Sequence, residues 1–270
     1  MNKLLLSTSL ITTFTIATLS NLAVSNSSSG AESPHPKPVT LTGTIRDFKA
    51  YRLPDKELNE GGHQDFQRYV GFDGDYETKE EFGLIAGDFL DDEGKPVYKP
   101  VDGSTITTTN QENFSQWYRD VPGVNQSMSH SITLRDDDGD GIYSFARDIN
   151  EAESFFPIDN KLFGNEGYEH NYHFTFELAS RFTYVPGTVD KPCIFTFKGD
   201  DDVFVFIDGK KVIDIGGIHS QREQSVNLDE LNLTPGNTYD LKLFFAERNV
   251  THSNFRLDTN LEFEQIFYPD

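Results

Sequence analysis

The chain is short of cysteine, of positive charge and of long apolar runs. Cys193 is the single cysteine among 270 residues, so no internal disulfide can form. It stands beside Ile194 and Phe195 in a strand-like run, which reads as a buried, inert thiol rather than a nucleophile. A secreted domain without disulfides relies on core size or bound metal instead. Lys and Arg number 23 against 44 Asp and Glu, a formal net charge of -21. Such a chain repels nucleic acid and anionic membrane surfaces, which sets both aside as partners. Beyond the N-terminus no apolar stretch is long enough to cross a bilayer. There is no HExxH, no GxSxG and no phosphate loop. There is also no internal repeat and no long segment of 3.6-residue period.

The N-terminus carries Lys3, then an apolar, Thr-rich stretch from Leu4 to Leu19, then Ala23-Val24-Ser25. A short positive start, a modest apolar run and small residues before a cleavage point describe a secretory signal over residues 1–25. An uncleaved N-terminal anchor is the alternative. Residues 26–38 are rich in Ser and Pro and read as a linker. One domain follows over 39–270, a size common for a single all-β unit. The expected location is extracellular or at the cell surface. The poverty in cysteine leans toward a bacterial source. The Asn-x-Ser/Thr triplets at Asn113 and Asn249 would matter only in a eukaryotic secretory path.

Short strand patterns separated by Gly, Asp, Asn and Pro fill the domain. In 171–178, Tyr172, Phe174, Phe176 and Leu178 alternate with polar residues. In 255–263, Phe255, Leu257, Leu261 and Phe263 do the same. A period of two marks a strand with one buried face. Val203 to Ile207 is apolar without a break and predicts a strand covered on both sides. Asp208-Gly209 supplies a tight hairpin turn, and Lys211 to Ile215 returns. Tyr239 to Glu247 gives a further strand. The expected fold is an all-β sandwich with an irregular N-terminal part. Residues 54–120 predict loops, a few strands and a short helix near Thr78 to Phe82.

Several long blocks carry a resemblance. "FFPIDN" at 155–160, "HNYHFTFELASRFTY" at 170–184, "FTFKGDDDVFVFIDGKKVIDIGGIHS" at 195–220 and "LFFAERNVTHSNFRLDT" at 243–259 resemble the fibro-slime family. That family is related to the PA-14 domain, a lectin-like β-sandwich. "LTGTIRDF" at 41–48, "GGHQDF" at 61–66 and "WYRDVPGVN" at 117–125 are similar to its earlier blocks. In fungal flocculins and epithelial adhesins, two consecutive aspartates joined by a cis peptide hold a calcium ion that grips sugar hydroxyls. A second loop adds an Asn side chain and backbone carbonyls. The resemblance implies Asp200 and Asp201 as the metal pair, with Asn249 and the carbonyls of Thr251 and Ser253 from the second loop. That loop differs from the flocculin form in length and lacks its Trp. Asp202, His219 and His252 complete the candidate ligand-binding set with Asp200, Asp201 and Asn249.

The residues themselves leave two readings of Asp200-Asp201-Asp202. Adjacent carboxylates beside a buried strand cost free energy unless a cation or donors compensate. Calcium, with six to eight oxygen ligands, would compensate, whereas an exposed acidic hairpin loop would need nothing. A second acidic loop, "RDDDGDGIYSF" at 135–145, sets Asp136, Asp138 and Asp140 at the first, third and fifth places of a calcium loop, with Gly141 sixth. The twelfth place holds Arg147 rather than Glu, with Asp148 next, and an ordinary Asp-Gly turn explains the same residues. His170 and His173, three apart on a strand, would face opposite ways and could not easily share a metal. His219 follows Gly216-Gly217 and reads either as a ligand contact or as a loop histidine bonded to backbone.

The expected function is a secreted, non-catalytic module that binds extracellular glycan or matrix polymer, with calcium, in adhesion or matrix assembly. The alternatives are a polysaccharide hydrolase, for which no carboxylate pair is marked by context, and a purely structural surface-matrix protein.

Overall fold

The computed structural model describes residues 37–68, 79–80, 82–99, 103–147 and 154–264. The expected signal and the linker up to residue 36 lie outside the described residues, as does Asp148. The strands are β1 (Val39–Phe48), β2 (Lys79–Glu80), β3 (Asn125–Leu134), β4 (Tyr143–Arg147), β5 (Phe174–Thr183), β6 (Ile194–Asp200), β7 (Asp202–Ile207), β8 (Lys210–Ile215), β9 (Gly217–Ile218), β10 (Arg222–Asn227), β11 (Thr238–Glu247), β12 (Asn254–Thr259) and β13 (Glu262–Phe263). One short helix, α1 (Gln111–Gln116), lies between β2 and β3.

Two antiparallel sheets form the sandwich. The larger runs β3-β1-β5-β11-β7-β8, with β13 added along the end of β5, and the smaller runs β10-β6-β12-β4. Phe174, Phe176, Leu178, Phe195, Phe197, Phe245, Phe255 and Leu257 fill the core between them. Burying a side chain of this size contributes about 1.5–3 kcal/mol.

The unbroken run of β7 has a structural cause. Val203, Val205 and Ile207 enter the core between the sheets. Phe204 and Phe206 point the other way, into a second core with Phe48, Phe66, Tyr98, Phe114, Trp117 and Phe244. β11 divides in the same manner, Leu241, Leu243 and Phe245 to one side and Phe244 and Ala246 to the other. The described residues between β1 and β3 therefore include a third layer that covers the outer face of the larger sheet. Asp208 and Gly209 have φ of 51° and 73°, the positive pair a two-residue hairpin turn demands.

Two expectations need correction. No helix forms at Thr78 to Phe82: Lys79–Glu80 pair with Gly217–Ile218 as strands, Phe82 lies in a turn, and Thr78 and Glu81 lie outside the described residues. The helix forms instead where Asn110 can cap it, accepting from Asn113 N at 2.8 Å, as an Asn at that position favours. The pattern over 255–263 is also not one strand. β12 ends at Thr259, and Asn260 turns its side chain to Ile194 N (2.8 Å) and Pro192 O (2.9 Å). The chain then crosses to the other sheet, where β13 pairs with β5.

Candidate functional site

The aspartate run sits where β6 passes into β7, and the second loop leaves the end of β11. Pairing of Ala246 with Asp202 and of Asn254 with Asp200 brings the two together. The Asp200–Asp201 peptide is cis, the form the resemblance implies. Asp200, Asp201, Asp202, Glu247, Arg248 and Asn249 are all 6% exposed or less, so this is not an exposed acidic hairpin loop.

Each aspartate has its own surroundings. Asp200 accepts from Asn254 N at 2.6 Å and from Asn254 Nδ2 at 2.7 Å. Burial nevertheless pushes its carboxyl up to about 6. Asp201 accepts from His219 N at 3.1 Å and Arg248 N at 3.2 Å. Burial, together with the charges of Asp200 and Asp202, holds Asp201 well above the usual carboxylate range despite the opposing pull of Arg248. Asp202 is different. Its Oδ2 takes Arg248 Nε at 2.5 Å, and its Oδ1 takes Arg248 Nη2 at 3.1 Å and Gly217 N at 2.7 Å. Both side chains of this ion pair are fully buried. Asp202, counted from sequence among the ligand-binding residues, is instead the counter-charge of a buried arginine.

Arg248 ties the site to the third layer. It donates to Thr107 O at 2.8 Å and Thr107 Oγ1 at 3.2 Å, and its guanidinium lies 4.7 Å from the Trp117 ring centre. Burial alone would lower its pKa, but Asp202 outweighs that and keeps the guanidinium charged.

One buried acceptor at the site is left over. Asn249 Oδ1 has no hydrogen-bond partner, whereas the Glu247 carboxyl is approached by the Ser253 hydroxyl and the Asn249 backbone N–H. Burial, then the charges of Asp201 and Asp200, hold the Glu247 carboxyl well above its usual range. Unsatisfied buried acceptors beside crowded carboxylates are costly unless something positive joins them. Asp200, Asp201 and Asn249 Oδ1 offer oxygen alone, whereas Asp200, Asp201 and Glu247 do not bring three ligand atoms within 4.8 Å of one another. The oxygen-only set fits a hard cation such as calcium.

The histidines fall apart. His219 is buried, and its Nδ1 donates to Ser220 O at 2.9 Å, so it is a loop histidine bonded to backbone. His252 is exposed on the second loop. His170 bonds Asp159 at 2.6 Å and stacks on Phe156, whereas His173 is buried and bonds Gln67 at 3.2 Å. Cys193 is buried and its thiol is pushed up to about 11 by burial, which leaves it inert at neutral pH.

Asp136, Asp138 and Asp140 do come together. Among the described residues, theirs is the group of three carboxylates with ligand atoms within 4.8 Å of one another. The loop answers its own acceptors, however. Asp136 takes Gly139 N (2.8 Å) and Gly141 N (3.1 Å), and Asp140 takes Ile142 N (2.7 Å). Asp138 and Asp140 are exposed. Arg147, at the twelfth place, is in β4 opposite Phe255. An Asx-turn between β3 and β4 accounts for these contacts without an ion.

Glu247, Arg248 and Asn254 were not singled out from sequence. Glu and Arg at the end of an apolar strand are a visible signal, because β11 carries them into a buried layer. Asn254 gives none, since its role depends on which strand lies beside it.

Residues 165–265 match the PA14 domain family. Protein psiR of Dictyostelium discoideum is 35% identical over 207 residues, 70% of this chain and 20% of that protein. Protein psiD of the same organism is 38% identical over 194 residues, 67% of this chain and 36% of that protein. The chain thus spans roughly a fifth to a third of the length of these relatives. A solved PA14 domain of the MpAFP antifreeze protein covers 45% of this chain and 66% of that one, at 10% identity and a TM-score of 0.25. The relatives bear psi names rather than the fibro-slime name, and the PA14 relationship stands. They come from Dictyostelium, so the bacterial source expected from cysteine poverty has no support.

Proposed function

Residues 165–265 are a PA14 domain, and from that premise we propose that the protein is a non-catalytic, calcium-dependent module that binds extracellular glycan or matrix polymer. The observation that carries the calcium reading is the unpartnered buried Asn249 Oδ1 beside the crowded, buried carboxylates of Asp200 and Asp201. A cation there would be held by Asp200, Asp201 and Asn249, and its charge would offset the repulsion among the buried carboxylates. It would fix the β6–β7 junction and the loop after β11. His252, exposed on that second loop, is the side chain we assign to ligand contact.

A role in adhesion or matrix assembly follows if the protein reaches the cell exterior, as its N-terminal sequence suggests. Among the described residues no helix is long and apolar enough to cross a membrane. A glycan array run with calcium and again with chelator tests the reading. Calcium-dependent binding to one glycan class is expected. Silence on a broad array, or binding that chelator leaves untouched, would count against it. Turnover of a polysaccharide by the purified protein, lost on changing one carboxylate, would favour a hydrolase instead.

A further inference from the structure

Asn249 is the residue whose side-chain oxygen the ion site needs, yet it lies in a loop without regular structure. What holds it still comes from the third layer. Gln67, some 180 residues earlier in the chain, is buried against the loop, only 1% exposed. Its backbone N–H donates to Arg248 O at 2.7 Å. Its side-chain Oε1 accepts from Val250 N at 3.0 Å. Those two bonds engage the peptide groups on either side of Asn249. The same Oε1 also takes His173 Nε2 at 3.2 Å, which fixes the amide in turn.

Gln67 does this from an unfavourable backbone. Its φ is 54°, in the left-handed region that a residue with a Cβ seldom occupies. Such conformations persist where the surroundings over-determine them, and they gather at functional sites. The bonds on both sides of Asn249 are an over-determination of that kind.

We propose that Gln67 is a positioning residue for the ion site: by clamping both peptide groups that flank Asn249, it holds that residue's unpartnered oxygen ready for a cation. This rests on the reading of Asp200, Asp201 and Asn249 as a cation site. It makes the third layer, which lies outside the matched 165–265 region, a working part of that site. Outer groups that orient metal ligands typically set affinity by about 10- to 100-fold.

The test is a terbium titration of the full chain after chelator treatment, read by luminescence, with thermal melting alongside. Gln67→Met keeps the volume and removes the acceptor, and it should weaken terbium binding about tenfold or more. Gln67→Glu keeps an acceptor oxygen and should restore most of the affinity. Asn249→Ala should weaken binding as well. The double variant should lose no more than the larger single loss, because the two residues act through one oxygen. If Gln67→Met does not fold, Gln67→Asn, one methylene shorter, carries the same test. Wild-type affinity in the Gln67 variant, or losses that simply add in the double, would overturn the proposal. A wild type that takes up no terbium, or an Asp201→Ala variant that binds it as wild type does, would overturn the ion site itself and is told apart by that control.

Discussion

Removing the Asp202 carboxylate should damage this protein more than removing either of its neighbours. In Asp202→Ala, the Arg248 guanidinium stays fully buried and loses both contacts of its ion pair, at 2.5 Å and 3.1 Å. Gly217 N loses its acceptor too. Thr107, Trp117 and the Asp65 carbonyl remain around Arg248, and the charges of Asp201 and Asp65 still act on it, but Asp202 is the carboxylate whose oxygens bond the guanidinium. Breaking one side of a buried ion pair costs about 3–5 kcal/mol. For a domain of this size each kcal/mol moves the melting temperature by about 2–4 °C, so a fall of roughly 6–20 °C is expected. Differential scanning calorimetry in excess chelator reads this without any contribution from an ion. The double variant Asp202→Leu with Arg248→Met removes both charges and should recover at least half of the loss, since a buried pair replaced by apolar groups is often near neutral. If Asp202→Ala melts within about 2 °C of wild type, or the double variant melts lower than the single, Asp202 is not the counter-charge that anchors Arg248.

Burial brings the His173 imidazole down from its ordinary 6.5 to about 3. Its folded pKa lies below its unfolded one, so the stability gained from keeping it neutral is complete above about 6.5 and is lost as the pH falls toward 3. His173→Gln should therefore show a shallower fall in urea midpoint between pH 6.5 and 4, and equal slopes in the two proteins would refute this. A Cβ on Gly199 would lie 2.4 Å from Asn254 O, so Gly199→Ala must push β12 from β6 beside Asp200. It should cost about 1–3 kcal/mol in a melt and weaken calcium binding with it. Calcium at 100 times its dissociation constant should stabilise the wild type by about 2.7 kcal/mol. Chelator should then lower its melting temperature by several degrees, and Asp138→Ala should keep that response in full.

The strands were legible in the sequence because their side chains alternate or, in β7, do not. Phe174, Phe176 and Leu178 announce one buried face, and Val203 to Ile207 announce two. What covers the second face was not legible. The third layer is irregular, and its packing residues, such as Phe66, Tyr98 and Trp117, follow no period. The helix was misplaced for a related reason: Lys79 and Glu80 favour helix locally, but β9 recruits them as a strand partner. At the site, the aspartate run stood out by charge, and the resemblance picked Asp200 and Asp201. The division of labour among the three did not stand out, because it is set by Arg248, a residue 46 positions away whose side chain reaches Asp202. Gln67 left no mark in the sequence at all. Its importance lies in a backbone conformation and in two bonds across the fold.

The most direct test of the calcium reading is an isothermal titration of calcium into the full chain after chelator treatment. The wild type should show saturable binding at Asp200–Asp201, Asp138→Ala should bind with unchanged affinity, and Asp201→Ala should lose the transition. No saturable heat in the wild type, or an Asp201→Ala curve that overlays it while Asp138→Ala is silent, would contradict the account.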